Sequence, residues 1–284
     1  MIFSPLLLAG FFLFGLLFGS FLNVVIYRLP LMMEHAWQQQ AREVLKIGDA
    51  QASSRPFGLA YPPSHCPSCQ TPIKPWSNIP ILSFLLQKGR CAHCQAPISW
   101  RYPLVELLTG LAFAAIYWHF GWTLAAAGAL VFTALVIAMM FIDAQTQLLP
   151  DILTLSLLWC GLLINTQGIF TSLPNAVWGA AIGYLSLWLI FQLFKLVTGK
   201  EGMGFGDFKL LAALGAWFGV SALPVIVLLS SVVGLIFAMI LRIKKGQEMP
   251  FGPYLAVSGW LILMFQQPIM QMVAWWMNKS GFTP

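Results

Sequence analysis

Six residues in this chain are placed to do chemistry: two aspartates, Asp143 and Asp207, and four cysteines in two pairs. Asp143 ends an apolar run in Met139-Met-Phe-Ile-Asp143. Asp207 closes Gly204-Phe205-Gly206-Asp207 and opens the next apolar run. A carboxylate beside hydrocarbon is costly and is a functional candidate by default. At the C-terminal end of a helix the dipole also disfavours it, so Asp143 is poorly suited to a purely structural role. For Asp207 the structural alternative is an N-cap, but its two glycines, Gly204 and Gly206, permit unusual backbone angles and close approach of an extended peptide. Two nearby carboxylates share a proton: one takes a proton from water while the other protonates a carbonyl oxygen or leaving amine. That is aspartic-protease chemistry, and no serine, histidine or cysteine forms a rival catalytic set. Asp151, after Pro150, reads as a helix-start residue. Lys209 reads as a basic residue at a helix end rather than as a partner of Asp207.

The cysteines form a repeat. Cys66-Pro-Ser-Cys69-Gln-Thr-Pro-Ile73 is echoed by Cys91-Ala-His-Cys94-Gln-Ala-Pro-Ile98. Two facing knuckles supply four thiolates to one tetrahedral Zn²⁺, and a site closed by four cysteines is structural because it leaves no position for a catalytic water. Disulfides are the competing reading, disfavoured if the loop faces a reducing compartment. His65 and His93 flank the knuckles and read as loop histidines. Cys160, in an apolar run, reads as core.

The elements that must position these groups are membrane helices. Of 284 residues, 59% are hydrophobic and 8% charged, against roughly a quarter charged in a soluble domain. Residues 1–27, 107–142, 152–194, 210–241 and 249–278 carry no Asp, Glu, Lys or Arg. A crossing helix needs about 20 apolar residues. The first and last stretches hold one span each and the middle three hold two, with breaks at 119–122, 165–175 and 219–224. The chain is thus expected to be an all-α polytopic bundle of about eight transmembrane helices. Its expected parts are a first helix over 1–27, a polar insert over 28–103, and a bundle over 104–284.

No basic residue precedes the first span and Arg28 follows it, the pattern of an uncleaved anchor with its N-terminus outside. Eight basic residues fall in 28–103. With Lys195, Lys200, Lys209, Arg242, Lys244 and Lys245, they lie in loops that eight spans put on one side, predicted cytoplasmic. The net charge of +6 therefore reads as topology and contact with membrane lipids, not nucleic-acid binding. Within the insert, 31–47 is expected to be a helix, lying on the membrane surface or packed on the insert, and 53–63 an extended linker. A salt bridge is expected between Arg101 and Glu106.

These motifs closely resemble those of the bacterial type IV prepilin peptidases (prepilin leader peptidases/N-methyltransferases). The resemblance covers nearly the whole chain: Gly19-Ser-Phe-Leu-Asn23-Val-Val-Ile-Tyr-Arg28-Leu-Pro30, both knuckles, Arg101-Tyr-Pro-Leu-Val-Glu106, the segment 143–151 and Gly204-x-Gly-Asp207. It implies a multi-pass inner-membrane aspartic protease with Asp143 and Asp207 as its catalytic pair. Prepilins or pseudopilins would be cut at the cytoplasmic face after a glycine. The insert implies the bifunctional kind, which methylates the new N-terminus with S-adenosylmethionine. No Rossmann-type fingerprint locates that cofactor, and the insert and its junctions are its expected region. A peptidase without methylation, using the insert for assembly or docking, is the alternative. A proton-coupled transporter is disfavoured because both aspartates are expected at one face.

Overall fold

The computed structural model describes residues 4–46, 57–74, 78–200, 202–240, 242 and 249–280. Ile47, the linker portion 53–56 and the loop lysines 244 and 245 lie outside the described residues. The chain divides into two units, residues 1–121 and 122–284.

The first unit begins with one long helix where two separate elements were expected. α1 runs Pro5–Leu45, 41 residues with Pro30 inside it. A proline removes one N–H bond and crowds the carbonyl four residues back. The residues after it are Met, Glu, Gln, Ala and Leu, good helix formers, and the helix resumes. At 1.5 Å per residue α1 is about 60 Å long, roughly twice the hydrocarbon thickness. α2 (Leu82–Leu86) is a single short turn of helix, and α3 spans Arg101–Phe120. α1 and α3 pack through small residues: a Cβ on Gly15 or Gly19 would sit 2.7 Å from the Cα of Gly110 or Glu106. Arg28, only 6% exposed, donates to the carbonyls of Gly58, Leu59 and Pro62 at 3.0, 3.1 and 2.6 Å. This fastens the segment 58–62 of the insert to α1.

The second unit comprises α4 (Leu124–Thr146), α5 (Asp151–Asn165), α6 (Leu173–Thr198), α7 (Phe205–Phe218), α8 (Leu223–Ile240) and α9 (Gly252–Lys279). The helices end at the breaks read from sequence. Thr123 caps α4 by accepting from Ala126 N–H, and Gly219 ends α7 at φ 80°, a conformation that favours glycine. α9 is kinked at Phe265 ahead of Pro268, whose ring crowds the preceding turn.

Helices occupy all eight expected segments. Among the described residues five are long and apolar enough to cross a membrane: α1, α3, α4, α6 and the stretch Val220–Ile240. α5 and α7, at 15 and 14 residues, are only a little over 20 Å long. α7 is also enclosed: from Leu210 to Phe218 every residue is buried. α6 reaches it through Gly179-Ala-Ala-Ile-Gly183, a small-xxx-small stripe. A Cβ at Gly179 or Gly215 would run into the other's carbonyl oxygen.

The far end of α7 is tied to α5. Asn165 donates to the carbonyls of Ala216 and Trp217 at 2.9 and 3.0 Å and accepts from Phe170 and Thr171 N–H. Trp217 Nε1 donates to Leu157 O at 2.8 Å. Around it Phe132, Phe170 and Phe218 form an aromatic cluster. Cys160, expected in the core, is half-buried on α5.

Gly179→Leu should force α6 off α7 and lower stability by about 1–3 kcal/mol, the usual range for overpacking. Thermal unfolding in detergent should show the drop. Gly10→Leu, where a Cβ meets nothing within 4 Å, serves as the control and should leave the transition unmoved.

Candidate active site and metal centre

In the second unit Asp143 and Asp207 are buried, at 4% and 8% exposure. Asp143 lies in the last turn of α4, and Gln147 ends that helix in the left-handed region at φ 54°. Asp207 lies in the first turn of α7, where the helix dipole favours a negative charge. They are close enough for the Asp143 charge to act on Asp207. The poor position of Asp143 on its own helix is offset by another. α9 begins at Gly252, whose backbone lies against the Asp143 carboxylate. A helix N-terminus is a ready anion site.

Among the described residues, the buried Asp143 Oδ2 and Asp207 Oδ1 accept no hydrogen bond. A buried polar atom without a partner is costly. Here two of them lie on interacting carboxylates.

The glycines divide their work. At Gly206 a Cβ would sit 2.7 Å from Leu149 Cβ, so this glycine admits Leu149. At Gly252 a Cβ would sit 2.5 Å from Asp143 Oδ2 and 3.1 Å from Leu149 Cδ1. Gly204 is open: a Cβ there would meet nothing nearer than 4.0 Å. Its φ of −80° and ψ of 149° are available to any residue, so the space beside it, not an unusual backbone angle, distinguishes the position. Gly252 and Leu149 were not singled out in the sequence. The available signal was Phe251-Gly252-Pro253, since a proline in the first turn marks a helix start.

Lys209 pairs with Asp151, Nζ to Oδ1 at 2.6 Å, joining the starts of α7 and α5. Pro150 is the N-cap of α5, one position before the helix proper.

In the first unit the four cysteines converge. The Sγ atoms of Cys66, Cys69, Cys91 and Cys94 all lie within 4.8 Å of one another, and none is in a disulfide. Cys66 and Cys94 are 3.8 Å apart, which is about the edge of a tetrahedron with Zn–S bonds near 2.3 Å.

The two knuckles fold alike, as their shared sequence requires. Gln70 N–H and Gln95 N–H donate to Cys66 O and Cys91 O, and both glutamines are left-handed, at φ 57° and 61°. Bridges His65–Pro72 and Arg90–Pro97 close the turns. His65 Nδ1 lies 3.1 Å from Pro63 O, and His93 is exposed.

The thiols are prepared unequally. The Thr71 side chain and backbone hold the Cys69 thiol down at about 6, and the backbone at Cys94 and His93 lowers Cys91. Cys94 is lowered by the Ala96 backbone, yet desolvation and the neighbouring sulfurs push it up to about 11. Four thiolates this close repel one another, and a dication at their centre removes that penalty. The residues fit a tetrahedral zinc.

Glu106 takes a different partner from the one expected. Its Oε2 accepts from Ile81 N–H at 2.8 Å, while the Arg101 guanidinium rests over the Tyr102 ring. Positions five apart do not share a helix face, and Glu106 faces the α1–α3 contact. Beside it Asn23 Nδ2 donates to Tyr102 O at 3.0 Å, while the buried Asn23 Oδ1 has no partner.

Two family models match the chain. Residues 13–120 match the bacterial peptidase A24 N-terminal domain, and residues 130–239 match the type IV leader peptidase family. The chain is 53% identical over 264 residues to a prepilin leader peptidase/N-methyltransferase of Neisseria gonorrhoeae, covering 93% of this chain and 92% of that relative. It is 54% identical over 259 residues to one of Stutzerimonas stutzeri (90% and 89% covered), and 53% identical over 261 residues to one of Pseudomonas aeruginosa (90% of each). No solved structure matches.

The Asp151–Lys209 pair is half-exposed, with side chains 61% and 30% accessible, so solvent screens it. Lys209→Met should cost at most about 1 kcal/mol. Denaturation at low and high salt checks this: the wild-type advantage should shrink as salt rises.

Proposed function

The chain belongs to the type IV leader peptidase family, and from that premise we propose that it removes the leader of type IV prepilins or pseudopilins and methylates the new N-terminus. The observation that carries the peptidase reading is the buried pair Asp143 and Asp207, each with one unpartnered oxygen. One carboxylate takes a proton from water, and the resulting hydroxide adds to the scissile carbonyl carbon. The other, protonated, gives its proton first to the carbonyl oxygen. As the C–N bond breaks, the first carboxylate passes the proton taken from water to the leaving amine, and the second recovers its own as the new carboxyl group forms. Gly204 leaves room beside Asp207 for an extended substrate strand. Gly206 and Gly252 let Leu149 and the Asp143 carboxylate approach.

The basic loops argue for a bacterial inner-membrane enzyme with this site at the cytoplasmic end of the helices. A substrate whose apolar helix stays in the bilayer would present its leader at that boundary.

Cys66, Cys69, Cys91 and Cys94 would hold a structural zinc that stabilises the insert. For methylation, S-adenosylmethionine supplies a methyl group to the freed amine. We assign its binding to the insert 28–103 and its junctions with α1 and α3. There the unpartnered Asn23 Oδ1 and the buried Glu106 carboxylate suit a ligand bearing N–H donors.

The test mixes purified enzyme with a prepilin and S-adenosylmethionine and reads the product mass. Wild type should cut after the glycine and add one methyl. Asp143→Asn and Asp207→Asn should each lose at least about 10³-fold in cleavage while keeping the wild-type unfolding transition. Cleavage by either variant at the wild-type rate would sink the aspartyl mechanism, and cleavage without methylation would reduce the insert to a structural or docking role. Separately, metal analysis should find one zinc per chain, lost in Cys66→Ser/Cys91→Ser together with proteolytic resistance of the insert. A metal-free wild type would refute the zinc assignment.

A further inference from the structure

The insert carries an apolar face that the peptidase and zinc assignments leave unused. α2 has the sequence Leu82-Ser-Phe-Leu-Leu86, and only Phe84 is buried. Leu82, Leu85 and Leu86 are 49%, 62% and 74% exposed, and Ile79 just before them is 45% exposed. Exposed apolar runs of this kind mark an interaction surface. Phe84 packs on Trp100 with ring centroids 4.8 Å apart, and Trp100 is itself 74% exposed.

Depth follows from chain continuity. Trp100 immediately precedes α3, a helix long and apolar enough to cross the bilayer. A tryptophan there sits at headgroup level, and the Phe84 contact brings α2 to the same level. A groove of about 380 Å³ lies between them, lined by Phe84, Leu85, Lys88, Arg90, Ile98 and Trp100 among others. Lys88 and Arg90 are both exposed. Among the described residues neither has a carboxylate partner, and no acidic side chain lines the groove.

We propose that α2, Trp100 and the adjoining Lys88–Arg90 edge form a membrane-docking face that seats the headgroup of an acidic phospholipid. The leucines enter the acyl boundary. Lys88 and Arg90 face the phosphate, and Trp100 lies between the two layers. The occupant is a lipid rather than a soluble anion because the cations share their groove with an apolar wall held at the bilayer surface by α3. Docking would fix the zinc-binding insert against the membrane.

The full chain in nanodiscs tests this by amide hydrogen exchange over residues 82–90, in phosphatidylcholine alone and with phosphatidylglycerol added. Exchange should slow roughly thirtyfold with the acidic lipid, the scale expected for two basic residues at a charged surface. Lys88→Gln/Arg90→Gln should abolish that lipid dependence, and Leu85→Ser/Leu86→Ser should speed exchange in both discs. Unchanged exchange at the first knuckle would show that the variants remain folded. Equal rates in the two lipids, or an acidic-lipid effect that survives in the Lys88/Arg90 variant, would overturn the proposal. Slowing by inorganic phosphate in phosphatidylcholine discs to the same degree would also overturn it, leaving a soluble-anion site.

Discussion

A helix too short to reach across a bilayer must find its polar ends other partners, and α7 is built around that constraint. Its 14 residues leave N–H groups at one end and C=O groups at the other that the helix cannot pair within itself. At the C-terminal end, Asn165 answers two of the freed carbonyls with one amide, and Trp217 reaches back to α5. At the N-terminal end the unsatisfied donors and the dipole meet a carboxylate, Asp207. The start of α9 likewise lies against an acid, with Gly252 beside Asp143. Two helix starts therefore converge on two acids.

Close approach makes this geometry possible. Gly179 and Gly215 bring α6 against α7 with backbone touching backbone. Gly206 and Gly252 let Leu149 fill the space beside both aspartates. Hydrocarbon gives no net drive for one apolar helix to leave lipid for another, so van der Waals contact at small residues has to supply it. The glycines near the site thus belong to one packing system, with Gly204 the open exception.

Much of this was legible in the sequence because the signals were local. Uncharged stretches located the helices, Gly121 and Gly219 marked ends, and the repeated Cys-x-x-Cys-Gln-x-Pro-Ile predicted two like turns, which fold alike. Non-local partners were not legible. Nothing beside Asp143 in sequence points to Gly252, more than a hundred residues away. The pairing of Lys209 with Asp151 depends on how α5 and α7 pack. Glu106 was misread because Arg101 is near in sequence but lies on a different helix face. α1 was divided because its uncharged stretch stops at residue 27, before Arg28, yet the helix runs on through Pro30 and the good helix formers after it.

The continuity of α1 has a mechanical consequence. A rod of about 60 Å embedded over about half its length passes a change of tilt in a thinner or thicker bilayer on to its far end. It tilts as a whole, and a tilt of about 10° sweeps its far end sideways by roughly 5 Å. Arg28, gripping three carbonyls of the segment 58–62, carries that part of the insert along with it. Bilayer thickness is thereby converted into displacement of a water-exposed domain, and α1 acts as a lever whose fulcrum is the membrane surface.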